Sequence, residues 1–183
     1  ELGHNFGAHH ANDYVCLDKN KNPTSISLEC SSYEYGDAYD IMGSSSKGYF
    51  NAPHREETGW LTNDNIVITT EGTYLLKPLE NIELPGAIQQ IKLPINIKPE
   101  FYAGLDNIYY TLEFRQPIEY DANFNSHVYS GILIHLARSD DKRFSFYQTN
   151  LIDMMPAQQG TMESLQVGKS FIDEINRYNI TLN

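Results

Sequence analysis

The chain has 183 residues, of which 40% are hydrophobic and 20% are charged, so it is long enough for one folded domain or two small ones. Its formal net charge of −11 argues against nucleic acid as a partner, because phosphate binding needs clustered Lys and Arg. No apolar run approaches the roughly 18 residues of a membrane-spanning helix, so membrane insertion is not expected either.

The first ten residues, Glu1 to His10, read E-x-x-H-x-x-G-x-x-H. This is the extended zinc-binding signature H-E-x-x-H-x-x-G-x-x-H without its opening histidine. A histidine directly before Glu1 would lie one helical turn from His4, on the same face of a helix. Zinc in a catalytic site takes three protein ligands and keeps a fourth position for water. The sequence therefore predicts a zinc site that lacks its first ligand in this chain.

The spacing assigns a role to each residue of the motif. His4 and His10 are the expected zinc ligands, and Glu1 would take the proton from the zinc-bound water as general base. Gly7 is expected to end the helix, because glycine adopts left-handed backbone conformations without strain, and the turn would bring His10 back to the metal. His9 is one position off this register, so we prefer His10, although the adjacent pair leaves the alternative open.

Residues 11–35 are rich in Asn, Asp, Ser and Lys, which predicts a long irregular loop. The run D-K-N-K-N that starts at Asp18, with Glu29 at the twelfth position, has the ligand order of an EF-hand calcium loop. Pro23 stands at the sixth position, where that loop needs glycine, and no helical pattern flanks the segment. A plain solvated loop is therefore favoured over a calcium site.

The two cysteines, Cys16 and Cys30, are 14 residues apart and do not form a C-x-x-C pair, so a metal site is not expected from them. They are either a disulfide or two unpaired thiols. The secreted context that a zinc motif suggests favours the disulfide. Such a bridge would stabilise the fold by roughly 3 kcal/mol if it acts through chain entropy.

The segment Tyr35–Gly43 reads Y-G-D-A-Y-D-I-M-G and places a Met-Gly pair 32 residues after His10. An ordinary buried methionine after a turn would explain Met42 if it stood alone. Because a zinc signature precedes it, we interpret Met42 as the residue of a Met-turn. It would form a polarisable floor beneath the ligands without coordinating the metal.

A short helix is predicted within residues 51–61. Asn51 can cap it, Pro53 fits its first turn, and Gly59 can end it. At the start of such a helix, His54 is interpreted as a polar surface residue rather than a further metal ligand.

The run from Glu1 to about Leu61, about a third of the chain, resembles the gametolysin (autolysin) family of metzincin zinc endopeptidases. The resemblance implies a secreted or cell-surface enzyme that hydrolyses peptide bonds of extracellular or cell-wall proteins. It also implies His4 and His10 as zinc ligands, Glu1 as general base and Met42 as the Met-turn residue. Because the first ligand is missing, we expect this piece itself to be inactive. The segments that carry the resemblance are Glu1–Ala11, Tyr35–Gly43, Asn51–Arg55 and Gly59–Leu61.

Beyond residue 62 the pattern changes to short apolar or alternating segments bounded by Gly, Pro, Asn and Asp, which predicts β-strands. Glu71-Gly72 is expected to be a hairpin turn. We therefore expect an α+β, mostly β chain, in which residues 1–62 end a catalytic domain and residues 63–183 form an antiparallel β-sandwich or jelly roll. The predicted strands are Ile66–Thr70, Thr73–Lys77, Ile88–Leu93, Ile108–Arg115, Gly131–Ala137 and Phe144–Asn150.

A second class of function stays open on the sequence. The chain could be an adhesion or carbohydrate-binding β-module that carries a degenerate peptidase remnant. Tyr109 and Tyr110 could stack on sugars, although aromatic pairs between strands are commoner. The residue that precedes Glu1 in a longer chain separates the two classes, because a histidine there favours the enzyme.

Overall fold

The computed structural model describes residues 2–44, 48–81, 85–98, 102–139, 149–156 and 164–183. Within these ranges the chain has eleven strands and three helices of four to six residues, which confirms the prediction of a mostly β, α+β protein. None of the described helices has the length and apolar character needed to cross a membrane. The helices are α1 (Leu2–Asn5), α2 (Ala52–Glu57) and α3 (Ser126–Tyr129), and the strands are β1 (Ala11–Leu17), β2 (Pro23–Thr24), β3 (Glu29–Tyr33), β4 (Ile66–Ile68), β5 (Gln90–Pro94), β6 (Ile108–Phe114), β7 (Gly131–Arg138), β8 (Thr149–Ile152), β9 (Leu165–Gln166), β10 (Ser170–Asp173) and β11 (Tyr178–Thr181).

Nine of the described strands form one mixed sheet in the order β2-β1-β8-β7-β6-β5-β4, with β3 added on β1 and β9 on β7. The pairs β1–β8 and β4–β5 are parallel, and the others are antiparallel. Strand β1 belongs to the segment before residue 63 and its neighbour β8 to the segment after it. The sheet therefore runs across the predicted boundary at residue 62, and the two-domain division stays a prediction.

The central strands β6 and β7 are buried along most of their length because both faces of the sheet are covered there. On one face the hairpin β10–β11 packs against β6. The ring of Tyr110 lies 5.3 Å from that of Phe171, and its hydroxyl donates to Asp173. The other face of this part of the sheet carries α2 and the segment that follows Met42. The candidate site is built on that side.

The expectation of an irregular loop over residues 11–35 is wrong, because strands β1, β2 and β3 lie within it. Tyr14 and Cys16 point inward at alternate positions of β1 and are buried. The polar side chains that suggest a loop are satisfied across strands, since the amide of Asn12 donates to Ser32 at 3.0 Å. A disulfide joins Cys16 to Cys30, which stand opposite each other in β1 and β3.

The predicted strand Thr73–Lys77 and the hairpin turn at Glu71-Gly72 are also wrong. Residues 72–77 form no strand, and β4 pairs in parallel with β5 instead of folding back on itself. The segment between β4 and β5 therefore crosses over so that the two strands run in the same direction. The Lys77 amide bonds to the carbonyl of Ile88. Pro78, which has no amide proton, forms an isolated parallel bridge to Phe114. Most of the predicted strand Phe144–Asn150 lies outside the described residues, and β8 begins at Thr149.

Candidate metal site

The histidine segment folds back on itself immediately after α1. Gly7 has φ of +100° and its amide bonds to the carbonyl of His4, while the Ala8 amide bonds to the carbonyl of Gly3. This turn places the imidazole of His10 over that of His4, with 5.0 Å between ring centroids. The ring of His9 is 6.3 Å from that of His4. Glu1 lies outside the described residues, so its role as general base stays a prediction.

Each of the two predicted ligands has one ring nitrogen held by an acceptor. His4 Nδ1 lies 2.9 Å from the carbonyl oxygen of Ala8, and His10 Nδ1 lies 2.7 Å from a carboxylate oxygen of Glu34. A carbonyl or carboxylate oxygen accepts a hydrogen bond, so Nδ1 carries the proton in both rings. The lone pair is then on Nε2, the nitrogen that would face a metal.

Met42 lies directly against the helix that carries His4. A Cβ atom added to Gly3 would be 2.3 Å from Met42 Sδ and 3.2 Å from the ring of Phe50. Met42, Phe50, Ala8 and Ala11 form one buried apolar cluster beneath the histidine turn. A glycine at position 3 is therefore what allows the helix to sit on the methionine.

We expect Gly3→Ala to lower the free energy of unfolding by about 1–2 kcal/mol. Displacing Met42 within a packed cluster costs about 1–3 kcal/mol, and the better helix propensity of alanine returns at most about 1 kcal/mol. Urea unfolding measures the change. Leu2→Ala, at a position of the same helix that is 69% exposed, is the control and should stay near wild type. Equal stability of the two variants would contradict the close contact.

The turn that contains Met42 is fixed by a buried carboxylate. Asp40 accepts the backbone amides of Met42 at 2.5 Å and Asn51 at 2.6 Å, and also lies 2.9 Å from Nδ1 of His54. Asn51 caps α2 as predicted, because its side-chain oxygen accepts a hydrogen bond from the backbone amide of His54. One acidic group thus joins the methionine turn to the start of the helix behind it.

The interpretation of His54 as a surface residue is wrong, because the side chain is fully buried. Pro53 and Asn51 set the helix so that residue 54 faces inward, against Asp40. Burial by itself lowers the pKa of His54, but the charge and hydrogen bond of Asp40 outweigh burial and raise it. His54 is also close enough to His9 to help lower the pKa of His9, after burial and the charge of His4. His54 is thus a buried neighbour of the histidine turn.

A second buried group supports the site from the sheet. The guanidinium of Arg115, just after β6, is fully buried and lies 2.8 Å from Asp121 and 3.1 Å from Glu113. It also donates to the backbone carbonyls of Tyr39 and Phe50, on either side of the methionine turn. The turn is therefore tied to the sheet as well as to α2. No pattern in the sequence predicted this arrangement.

The other predicted ligand groups engage protein donors. Asp18 accepts hydrogen bonds from the backbone amides of Asn20 and Asn22, and Glu29 pairs with Lys21, so the acidic groups of the disfavoured calcium pattern bind the protein's own turn. Across the described part of the chain, no three or more His, Cys, Asp and Glu side chains are grouped so that they could hold a metal ion. His4 and His10 supply two imidazoles, and their tautomers fit zinc, which binds the neutral ring.

The tyrosines considered for sugar binding are occupied within the protein. Tyr110 is buried against Phe171 and Tyr178, and the ammonium of Lys92 covers the ring of Tyr109 at 4.5 Å. The ring of Tyr110 is therefore closed to a ligand, and one face of the half-buried Tyr109 is taken by Lys92.

No known protein family, no curated protein and no solved structure matches the chain.

Proposed function

We propose that this chain is part of a secreted, metzincin-like zinc endopeptidase that hydrolyses peptide bonds of extracellular or cell-wall proteins. The observation that carries the proposal is the close approach of the His4 and His10 imidazoles, with 5.0 Å between ring centroids, on a turn that rests on Met42. Both imidazoles have Nδ1 held by an acceptor, which leaves Nε2 for a metal. The E-x-x-H-x-x-G-x-x-H spacing explains why a glutamate and two histidines occur together in this segment, since a catalytic zinc site needs a general base and imidazole ligands.

The chain's own groups divide the chemistry between them. Zinc, when bound, lowers the pKa of its water and polarises the carbonyl of the peptide bond. Glu1 would act as the general base that takes a proton from the attacking water and returns it to the leaving amine. Glu34 accepts a hydrogen bond from Nδ1 of His10. This bond keeps the ring in the tautomer and orientation that a metal ligand needs. Met42 supports the helix from below without coordinating.

The disulfide between Cys16 and Cys30 supports the secreted location, because disulfides persist in oxidising compartments. It joins β1 to β3. It therefore also ties down the strand after which Glu34 reaches His10.

The proposal requires a third ligand directly before Glu1, and an added residue tests it. We compare the chain with two versions that carry a short helical extension ending in either His or Ala before Glu1. The His version is expected to bind one zinc ion at least a hundredfold more tightly than the Ala version, since each ligand of a zinc site contributes roughly 3 kcal/mol. His4→Ala and His10→Ala should each abolish the gain. Competition with a chromophoric chelator measures the affinities.

Hydrolysis is the second part of that test. The His version should cleave a casein-type substrate in a chelator-sensitive manner, and Glu1→Gln in the same background should keep the zinc but lose the cleavage. Equal zinc affinity of the His and Ala versions would overturn the assignment of the site. Tight zinc binding without any cleavage would favour the alternative of a binding module with a peptidase remnant.

A further inference from the structure

Tyr35 contacts the nitrogen of His10 that is expected to face the metal. Its hydroxyl lies 2.9 Å from Nε2 of His10, and the two rings stack with 4.0 Å between their centroids. When Nδ1 of the neutral His10 ring donates to Glu34, Nε2 carries the lone pair and accepts the hydrogen bond from the tyrosine. The side chain of His10 is thus held at both of its nitrogens.

The backbone of Tyr35 is strained in a way that fixes this contact. The residue has φ of +62°, a conformation that costs a non-glycine residue of order 1 kcal/mol or more. It stands third in a turn closed by the bond from the Gly36 amide to the carbonyl of Tyr33, and its own amide donates to the buried side chain of Asn12. A glycine would fit this position more easily, so the strained backbone indicates that the tyrosine side chain itself is needed here.

The turn is also packed directly on β1, the strand that begins right after His10. A Cβ atom at Gly36 would be 2.2 Å from Asp13 Oδ1 and 2.8 Å from the Asp13 amide nitrogen. The register of β1 and β3, in which Asp13 stands opposite Tyr33, therefore decides where Tyr35 meets His10.

We infer that Tyr35 is a latch on the metal site: its hydroxyl caps Nε2 of His10 and must leave before a metal ion can bind there. The inference rests on the proposed function. The hydroxyl oxygen, 2.9 Å from Nε2, crowds the position that a cation bound to that nitrogen would take, so the hydrogen bond and a metal ion compete for the same nitrogen. The tyrosine is 47% exposed, so its ring has room to swing away from His10 toward solvent. Metal loading thus competes with a hydrogen bond that the protein itself makes.

The latch predicts that Tyr35→Phe binds zinc more tightly than wild type. Removing one neutral hydrogen bond that the metal must break should tighten binding about fivefold. The chain itself is titrated with Zn²⁺ alone against a chromophoric chelator. Tyr33→Phe is the matched control, since Tyr33 is exposed on the same turn and its hydroxyl makes no hydrogen bond within the described residues. It should bind as wild type does.

A readout without metal accompanies the titration. In zinc-free protein labelled with ¹⁵N, Tyr35→Phe should shift the Nε2 resonance of His10, and Tyr33→Phe should leave it unchanged. Unchanged or weaker zinc binding by Tyr35→Phe would overturn the latch, the weaker case indicating that the phenol oxygen is a ligand. If zinc binding does not depend on His4 and His10 at all, the proposed function fails together with the latch. If it does depend on them and only the fivefold gain is missing, the latch alone fails.

Discussion

Arg115→Met is expected to lower the free energy of unfolding by about 3–5 kcal/mol, the range for breaking a buried ion pair by removing one partner. Arg115 is fully buried, and the carboxylates of Glu113, Asp121 and Glu80 lie within 3.3 Å of its guanidinium nitrogens. Methionine fills much of the volume but leaves these acids without a cation. Burial disfavours the charge of Arg115, yet the three acids outweigh burial and raise its pKa, so the cation is firmly retained.

Removal of the Arg115 guanidinium should affect the candidate site as well as the stability of the whole protein. Arg115 donates to the carbonyls of Tyr39 and Phe50, and the segment between them holds Asp40 and Met42. Without those bonds the methionine turn loses its link to β6. We therefore expect the zinc affinity of the His-extended chain to fall in Arg115→Met.

Urea unfolding at pH 7 measures the stability change, with Arg177→Met as the matched control because Arg177 is exposed. The control should stay within about 0.5 kcal/mol of wild type, as surface substitutions usually do. Arg115→Lys separates charge from shape, since an ammonium cannot reproduce the forked donors of the guanidinium. A change below about 1 kcal/mol in Arg115→Met would mean that the acids are neutral or hydrated without the arginine.

The parts of this structure that the sequence predicts are those set by residues close to one another along the chain. Asn51 and Pro53 begin α2 because a cap and a first-turn proline act within three residues. Strands β6 and β7 follow from their apolar and β-branched runs, and they begin at the predicted residues Ile108 and Gly131. The turn at Gly7 follows from the conformational freedom of glycine.

The parts that escape prediction depend on partners far away in sequence. β1 reads as a loop because its Asn and Asp residues suggest turns, whereas in the fold Asn12 bonds to Ser32 and to the amide of Tyr35. Arg115 donates a hydrogen bond to the carbonyl of Phe50, which lies 65 residues earlier in the chain. No local sequence pattern can predict so distant a partner. A buried charge is recognised only once its partners are in place.

Two residues of the candidate site did carry a weak local signal. His54 follows the cap Asn51 by three residues, and the cap's contact with its amide is what turns the residue inward toward Asp40. Tyr35 directly precedes Gly36 in a polar segment, which is a usual place for a turn. Neither signal identifies a partner residue. The contact of Tyr35 with His10 depends on the register of β1 and β3, which the local sequence does not encode.

Glu80→Gln is expected to stabilise the protein by about 4 kcal/mol at pH 8 and to leave it nearly unchanged at pH 4.5. The side chain of Glu80 is buried, and its Oε1 accepts the amide of Gln116 and faces Arg115. Burial, followed by a hydrogen bond shared with Asp121, raises the pKa of Glu80 to about 8, although Arg115 and the Gln116 amide act in the opposite direction. Its Oε2 is buried and has no hydrogen-bond partner among the described residues, which also disfavours the ionised carboxylate.

The sign of the pH effect follows from this raised pKa. Below the unfolded value of about 4.5, both the folded and the unfolded protein hold the proton, and Glu80 costs nothing. Between about 4.5 and 8 the unfolded chain releases the proton while the folded protein keeps it, so stability contributed by Glu80 is lost as the pH rises. Glutamine keeps a carbonyl oxygen that can accept from the Gln116 amide, but it never ionises. The difference between variant and wild type should therefore grow from about pH 4.5 and level off near pH 8.

Urea unfolding at half-unit steps from pH 4.5 to 8.5 measures that difference, and taking it against wild type at each pH removes the contribution of other groups. His135, which lies near Glu113 and Asp37, titrates equally in both proteins. Glu71→Gln is the matched control because Glu71 is exposed, and its difference from wild type should stay flat. A flat difference for Glu80→Gln would show that Arg115 keeps Glu80 ionised in the fold. In that case the buried cluster would hold three full negative charges around one cation, and glutamine at position 80 would destabilise the protein at every pH above 4.5.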